Sequence, residues 1–184
     1  MYFSKYLKEM GHNPIVVTVD EKYASYNQKD YSLLKEIDKI ETYKTKSFDL
    51  LKLYSFIKSG NTTKSIPQSY IPNKSFFDKF TSFIRLNFFI PDSRVGWNKY
   101  AYKKVINIIT NKKIDCLITT GPPHSTHLIG LKIHNKYKLK WIVDLRDPWT
   151  EIFYLKNRFR FHFSKQKNKK LESEVLENSD AIIT

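Results

Sequence analysis

At 184 residues the chain has room for one full domain and not for two, and its 41% hydrophobic and 15% aromatic content excludes wholesale disorder. Its one cysteine, Cys116, excludes an internal disulfide and any multi-thiolate metal site. A formal charge of +14 brings self-repulsion that no fold requires, which points to an acidic partner (nucleic acid, an anionic membrane surface or a phosphorylated substrate) or, more plainly, to lysine-rich composition.

In chain order, Tyr2, Phe3, Tyr6, Leu7 and Met10 recur at helical spacing, and Gly11 with Asn13-Pro14 supplies the stop signal. Strands are predicted over 15–19 and 40–45, helices around 31–37 and 48–57, and a surface loop over 59–72. Phe76, Phe77, Phe80, Phe83, Ile84 and Leu86 fall at helical offsets among Lys79 and Arg85, which predicts an amphipathic helix over 76–89. After the turn signal Pro91-Asp92, helices over 98–111, 124–137 and 165–176 alternate with strands over 114–119 and 141–144 and an apolar stub at 181–183. Ile114, Leu117 and Ile118 around Cys116 suggest a buried, inert thiol on its strand.

Short apolar strands separated by helices predict an α/β fold, a Rossmann-like doubly wound parallel sheet covered on both faces. Such a unit ordinarily opens with its central strand, and this chain opens with a helix. The first strand is therefore expected to be missing, leaving 15–19 and 114–119 either to pair directly or to border a gap.

Ligands of such sheets bind beyond the carboxyl ends of the strands, so two loops are candidates. In the first, Gly121 permits close backbone approach, Pro122 and Pro123 stiffen the turn, and His124, Ser125 and His127 occupy the start of a helix whose free N–H groups would attract an anionic or hydroxyl-rich ligand. In the second, Asp144, Arg146 and Asp147 crowd a strand end before Trp149. Arg146 suits a phosphate or carboxylate, either Asp suits a sugar hydroxyl, and a local Arg–Asp pair that fixes the loop is the plainer alternative. Two carboxylates do not make a metal cage, so no metal is expected. In the loop 91–97, Trp97 reads as a core anchor and Arg94 as a residue of the cleft rim.

Seven Lys/Arg and no acid lie between Lys156 and Lys170, with Lys156, Arg158 and Arg160 interleaved among Phe159, Phe161 and Phe163. Cations meet head groups and rings enter the interface, so this segment is the candidate membrane contact, with a solvated basic face as the alternative. No apolar run reaches the roughly 18 to 20 residues that cross a bilayer and no signal peptide follows Met1, so the expected location is cytoplasmic, peripheral to the inner membrane face.

The segments IPDSRVGW…AY, CLITTGPPHSTHLIGLKI, WIVDLRDPWT and LESEVLENSDAIIT, with YLKEMGHNPIVVTV more loosely, resemble in order and spacing the amino-terminal domain of bacterial glycosyltransferase family 4-like proteins. The resemblance implies the amino-terminal, acceptor-side half of a GT-B fold, in an enzyme that retains anomeric configuration without a catalytic metal. It implies a saccharide or lipid-linked acceptor, as in cell-surface polysaccharide or glycolipid synthesis. The loop 144–149 would border the reaction centre, with Asp144, Arg146 and Asp147 as its catalytic candidates, and 121–127 with Trp149 would wall the acceptor pocket.

The resemblance also places an opening strand before Tyr2 and a carboxy-terminal domain that binds the nucleotide-sugar after Thr184. The expectation is thus a partial domain over 1–184 that binds no cofactor itself and transfers no sugar alone. A basic nucleic-acid-binding α/β protein is the competing reading, although no helix-turn-helix, zinc-knuckle or RNA-binding-sheet signature accompanies the charge. A partial gene product with no independent role is a third.

Overall fold

A computed structural model describes residues 2–24, 40–48, 76–156 and 158–184. The predicted helix around 31–37 and loop over 59–72 lie outside the described residues, as does all of 48–57 except Phe48. The elements are helix α1 (Tyr2–Glu9), strands β1 (Ile15–Val19) and β2 (Glu41–Thr45), helix α2 (Phe76–Phe88), a 3-10 turn (Val95–Trp97) and helix α3 (Asn98–Asn111). Then come β3 (Cys116–Gly121), α4 (Ser125–Tyr137), β4 (Lys140–Leu145), α5 (Phe153–Lys156), α6 (His162–Asn178) and β5 (Ala181–Ile183).

The fold is α/β, with two small parallel sheets. β1 pairs β2 from Ile15↔Glu41 to Val19↔Thr45. β3 pairs β4 from Cys116↔Lys140 to Gly121↔Leu145, and β4 pairs β5 from Ile142↔Ala181 to Asp144↔Ile183. Among the described residues β1 and β3 do not pair, and each ends its sheet. Of the two outcomes expected for these strands, direct pairing is the one that does not occur.

Below this interruption the helical layer is continuous. α3 packs on β1 and β2, α4 on β3 and β4, and α3 on α4. Ala101 of α3 and Ile129 and Ile133 of α4 form one buried cluster, against which Val17 of β1 and Leu117 of β3 both pack. Trp97 joins it and donates its indole N–H to Thr45 Oγ1 at 2.7 Å, so the predicted anchor ties the 3-10 turn to β2.

The second cluster, Trp141, Val143, Trp149 and Val175, joins β4 to α6. Trp141 and Val143 are two apart and so share one face of β4, which is buried, whereas Ile142 and Asp144 on the other face are only part-buried. Among the described residues the helices therefore cover one face of this sheet more fully than the other, where burial of both was expected.

Trp141 is fully buried because α4 carries Gly130 where the indole crosses it, and a Cβ there would overlap the ring. Gly130→Ala should thus destabilise the protein by about 1 to 3 kcal/mol through overpacking, although alanine is the better helix former. Denaturant titration checks it, and an unchanged or higher stability would contradict this packing. Gly11 has the other use of glycine: at φ 86 it takes the left-handed conformation that ends α1 and lets His12 N–H reach Leu7 O at 2.9 Å.

One residue reverses its expected burial. Cys116 is exposed, because β3 starts at that position and its buried positions, Thr119 and Gly121, lie after it. Partial desolvation and the nearby Asp180 carboxylate nonetheless raise its pKa, so the thiol is not an activated one. α1 is amphipathic as read, yet Phe3, Tyr6 and Met10 are exposed.

Candidate functional site

The strand β3 ends at Gly121, two residues later than its sequence suggests, so this glycine lies in the sheet rather than in the loop. It is buried beside the His127 imidazole, and a Cβ at this position would overlap that ring. Pro122 is exposed and Pro123 part-buried in the turn that leads to α4.

Three side chains then interlock. Thr119 Oγ1 lies 2.9 Å from both Trp141 Nε1 and His127 Nδ1. An indole N–H only donates, so the Thr119 oxygen accepts it and uses its proton or its remaining lone pair toward Nδ1 according to the His127 tautomer. The His127 Nε2 is buried without a hydrogen-bond partner among the described residues. Burial, then the neighbouring His124, push the His127 pKa down to about 4, so the ring is neutral at physiological pH.

His124 stacks on Trp149, with ring centroids 5.0 Å apart and planes within 8°. Burial lowers its pKa as well, against the opposing pull of Asp92, Glu172 and Asp147. Trp149 is itself held by its indole N–H, which donates to Asn168 Oδ1 on α6 at 3.2 Å. At 4% exposure it anchors a wall and offers no open stacking surface.

The N–H groups at the start of α4 are not open to a ligand. Asp92, 33 residues upstream, accepts the Ser125 N–H at 2.8 Å and the Ser125 hydroxyl at 2.9 Å, and also takes the Arg94 N–H at 2.8 Å. Thr126 and His127 N–H bond to Pro123 and His124 carbonyls. This corrects the expectation of a free anion-attracting helix end, because the carboxylate already occupies it.

At the end of β4, Arg146 Nε meets Asp144 Oδ2 at 3.2 Å, and the Arg146 N–H donates to Gly121 O at 3.2 Å, so the two loops are stitched together. With Arg146 57% exposed, the ion pair adds at most about 1 kcal/mol and mainly fixes the loop. Asp147 is exposed beside it.

Two concavities open at this end. The smaller, of about 60 Å³, has Arg85, Asp92, His124, Trp149, Leu155 and Arg160 in its wall. The larger, of about 320 Å³, is lined by Thr150, Glu151, Leu155, Arg160, Lys165 and Lys169. The structure thus brings His124 and Trp149 together in one wall and leaves His127 and Ser125 fully buried behind it. Arg94, part-buried, lines neither concavity.

No family model, curated protein or solved structure matches the chain.

The membrane-contact candidates divide between two surroundings. Phe159 and Phe163 are exposed, while the part-buried Phe161 sits between them and α2, at 5.2 Å from Phe83 and 6.4 Å from Phe88 between ring centroids. Phe80, Phe88 and Phe153 are exposed as well. Arg158 is part-buried and Lys156 closes α5. Arg160, by contrast, turns into the two concavities, and its Nε is buried without a hydrogen-bond partner among the described residues. Asp92 and Arg85 were missed by reading the chain, since the partner of one lies 33 residues away and the other reads as the polar face of a helix. Among the described residues no group of three or more His, Cys, Asp or Glu is placed to hold a metal, and no helix is long and apolar enough to cross a membrane.

Proposed function

We propose that this chain is the acceptor-side domain of a retaining glycosyltransferase with a GT-B arrangement, acting on a saccharide or lipid-linked acceptor. The observation that carries the reading is the smaller concavity beyond the carboxyl ends of the parallel strands β3 and β4, with His124 and Trp149 of the two loops singled out from the sequence in its wall. The strand order supports it. Among the described residues β1–β2 and β3–β4–β5 are separate parallel sheets in which β1 and β3 are end strands, and in this reading a central strand would lie between them, at the switch point of a Rossmann-like sheet.

In this reading the Asp144–Arg146 pair holds the loop 144–149 against Gly121, and Arg146 and Asp147 are the exposed charges that a facing donor half would meet. His124 and Trp149 back the acceptor. The nucleotide-sugar would belong to the other half, and no step of the transfer is complete without it.

A membrane-borne acceptor fits the exposed rings of Phe88, Phe153, Phe159 and Phe163 among lysines and arginines, since aromatic groups enter the bilayer interface where cations meet anionic head groups. Vesicle sedimentation tests this part: Phe159→Ser/Phe163→Ser should lower partition onto anionic vesicles by about tenfold, and equal partition would remove the membrane from the reading. The acceptor itself is tested by hydrogen exchange with vesicles that carry a lipid-linked saccharide. Slower exchange over 121–127 and 144–150 than with plain anionic vesicles is expected, and identical exchange would contradict an acceptor site here.

A further inference from the structure

The larger concavity has no place in the sugar-transfer reading as derived so far, and its lining is unusual. Three separate stretches meet in it: Thr150 and Glu151 after β4, Arg160 ahead of α6, and Lys165 and Lys169 one turn apart on α6. Three cations face one carboxylate, a net lining charge of +2 (three minus one).

The local acids do not relieve this charge. Glu172 accepts bonds from Thr150 N and Oγ1, and Glu174 pairs with Lys170. Among the described residues neither Lys165 nor Lys169 makes an ion pair, and Arg160 Nε is buried without a hydrogen-bond partner. Desolvation lowers the Arg160 pKa with Glu151 opposing it, yet a guanidinium remains charged in proteins. Lys165 and Lys169 are exposed and so can converge on a ligand, while the partly buried Arg160 guanidinium has an Nε that only a ligand in the cavity would satisfy among the described residues.

We propose that this cavity binds a phosphate monoester or diphosphate. A planar guanidinium fork and two mobile ammonium groups match a group that has three unbridged oxygens and more than one negative charge, better than they match a single carboxylate. At about 320 Å³ the cavity is roughly ten times the share of one water in liquid, so it holds the phosphate together with part of what it is attached to. It shares Leu155 and Arg160 with the smaller cleft beside His124 and Trp149, which places the phosphate next to that cleft. The site stands on its own lining and holds whether or not the chain belongs to a sugar transferase.

Calorimetric titration of the full chain with inorganic pyrophosphate tests it, with circular dichroism to confirm that each variant is folded. Lys165→Ala/Lys169→Ala should weaken binding by about tenfold or more. Lys113→Ala/Lys140→Ala, an equal charge change at the opposite ends of β3 and β4, should leave it nearly unchanged. Glu151→Gln should tighten it.

A vesicle arm separates the sources of the phosphate. Preference for phosphatidic acid over phosphatidylglycerol at matched surface charge, lost in Lys165→Ala/Lys169→Ala, assigns a lipid phosphomonoester, whereas pyrophosphate binding without that preference assigns a free phosphate compound. No pyrophosphate binding, equal losses in the two lysine pairs, or weaker binding by Glu151→Gln would overturn the proposal.

Discussion

Extending the chain upstream of Tyr2 by an apolar strand of about six residues and a glycine-containing turn should raise its unfolding midpoint by about 5 °C or more. β1 and β3 each end a parallel sheet among the described residues, so one inserted strand would complete two hydrogen-bonded ladders at once. Val17 and Leu117 already pack on the same α3–α4 cluster, which gives the newcomer a preformed apolar floor. α1 has Phe3, Tyr6 and Met10 exposed, apolar surface that an added strand and its turn would help to cover. If the ladders contribute even 2 kcal/mol, a domain of this size gains several degrees. A proline-interrupted strand of the same composition is the control. Hydrogen exchange should slow over 15–19 and 116–121 with the intact strand only; an unchanged midpoint and unchanged exchange would show that the two sheets need no third partner.

Much of this architecture was legible in the chain because it is written in local periodicity. The strands at 15–19 and 181–183 and the helix at 98–111 need only apolar runs and stop signals within a few residues, and they form as read. Whether β1 and β3 pair directly was left open by the sequence, and among the described residues they do not. Cys116 was misread because its apolar neighbours fix that a strand exists but not where its buried stretch begins. Gly121 was placed in the loop for the same reason.

The site was less readable because its connections are long-range. Asp92 satisfies the start of α4 from 33 positions away, and nothing near Ser125 announces it. Arg160 stands in an alternating Arg/Phe segment that suggests a membrane face, and only the packing of α6 against the loop after β4 turns its guanidinium into the cavity.

Acidification should unfold the protein through His127. Its pKa is near the ordinary 6.5 in the unfolded chain and about 4 when folded, so below neutral pH the unfolded state binds the proton first. The stability that this neutral ring contributes is fully present above about pH 6.5 and is lost as pH falls toward 4, by about 3 kcal/mol in all. His124, shifted in the same direction by burial, adds to the slope. His127→Gln keeps a group that can donate to or accept from the Thr119 hydroxyl and removes the titration, so its stability should fall less steeply between pH 6.5 and 4 than that of the parent. Parallel profiles for the two proteins would show that His127 is not the acid-sensitive group.

The most direct test of the central claim is transfer of labelled sugar from a panel of nucleotide-sugars to membrane-lipid and saccharide acceptors. It is measured for this chain alone and for the chain extended by the strand upstream and joined to a nucleotide-sugar-binding Rossmann-like half downstream. No transfer by the chain alone and retaining transfer by the joined protein, reduced by substitution of Asp147 or His124, is the expected result. Absence of transfer across the panel by the joined, folded protein, together with DNA or RNA binding that weakens steeply with salt, would contradict it and favour a nucleic-acid partner for the basic surface.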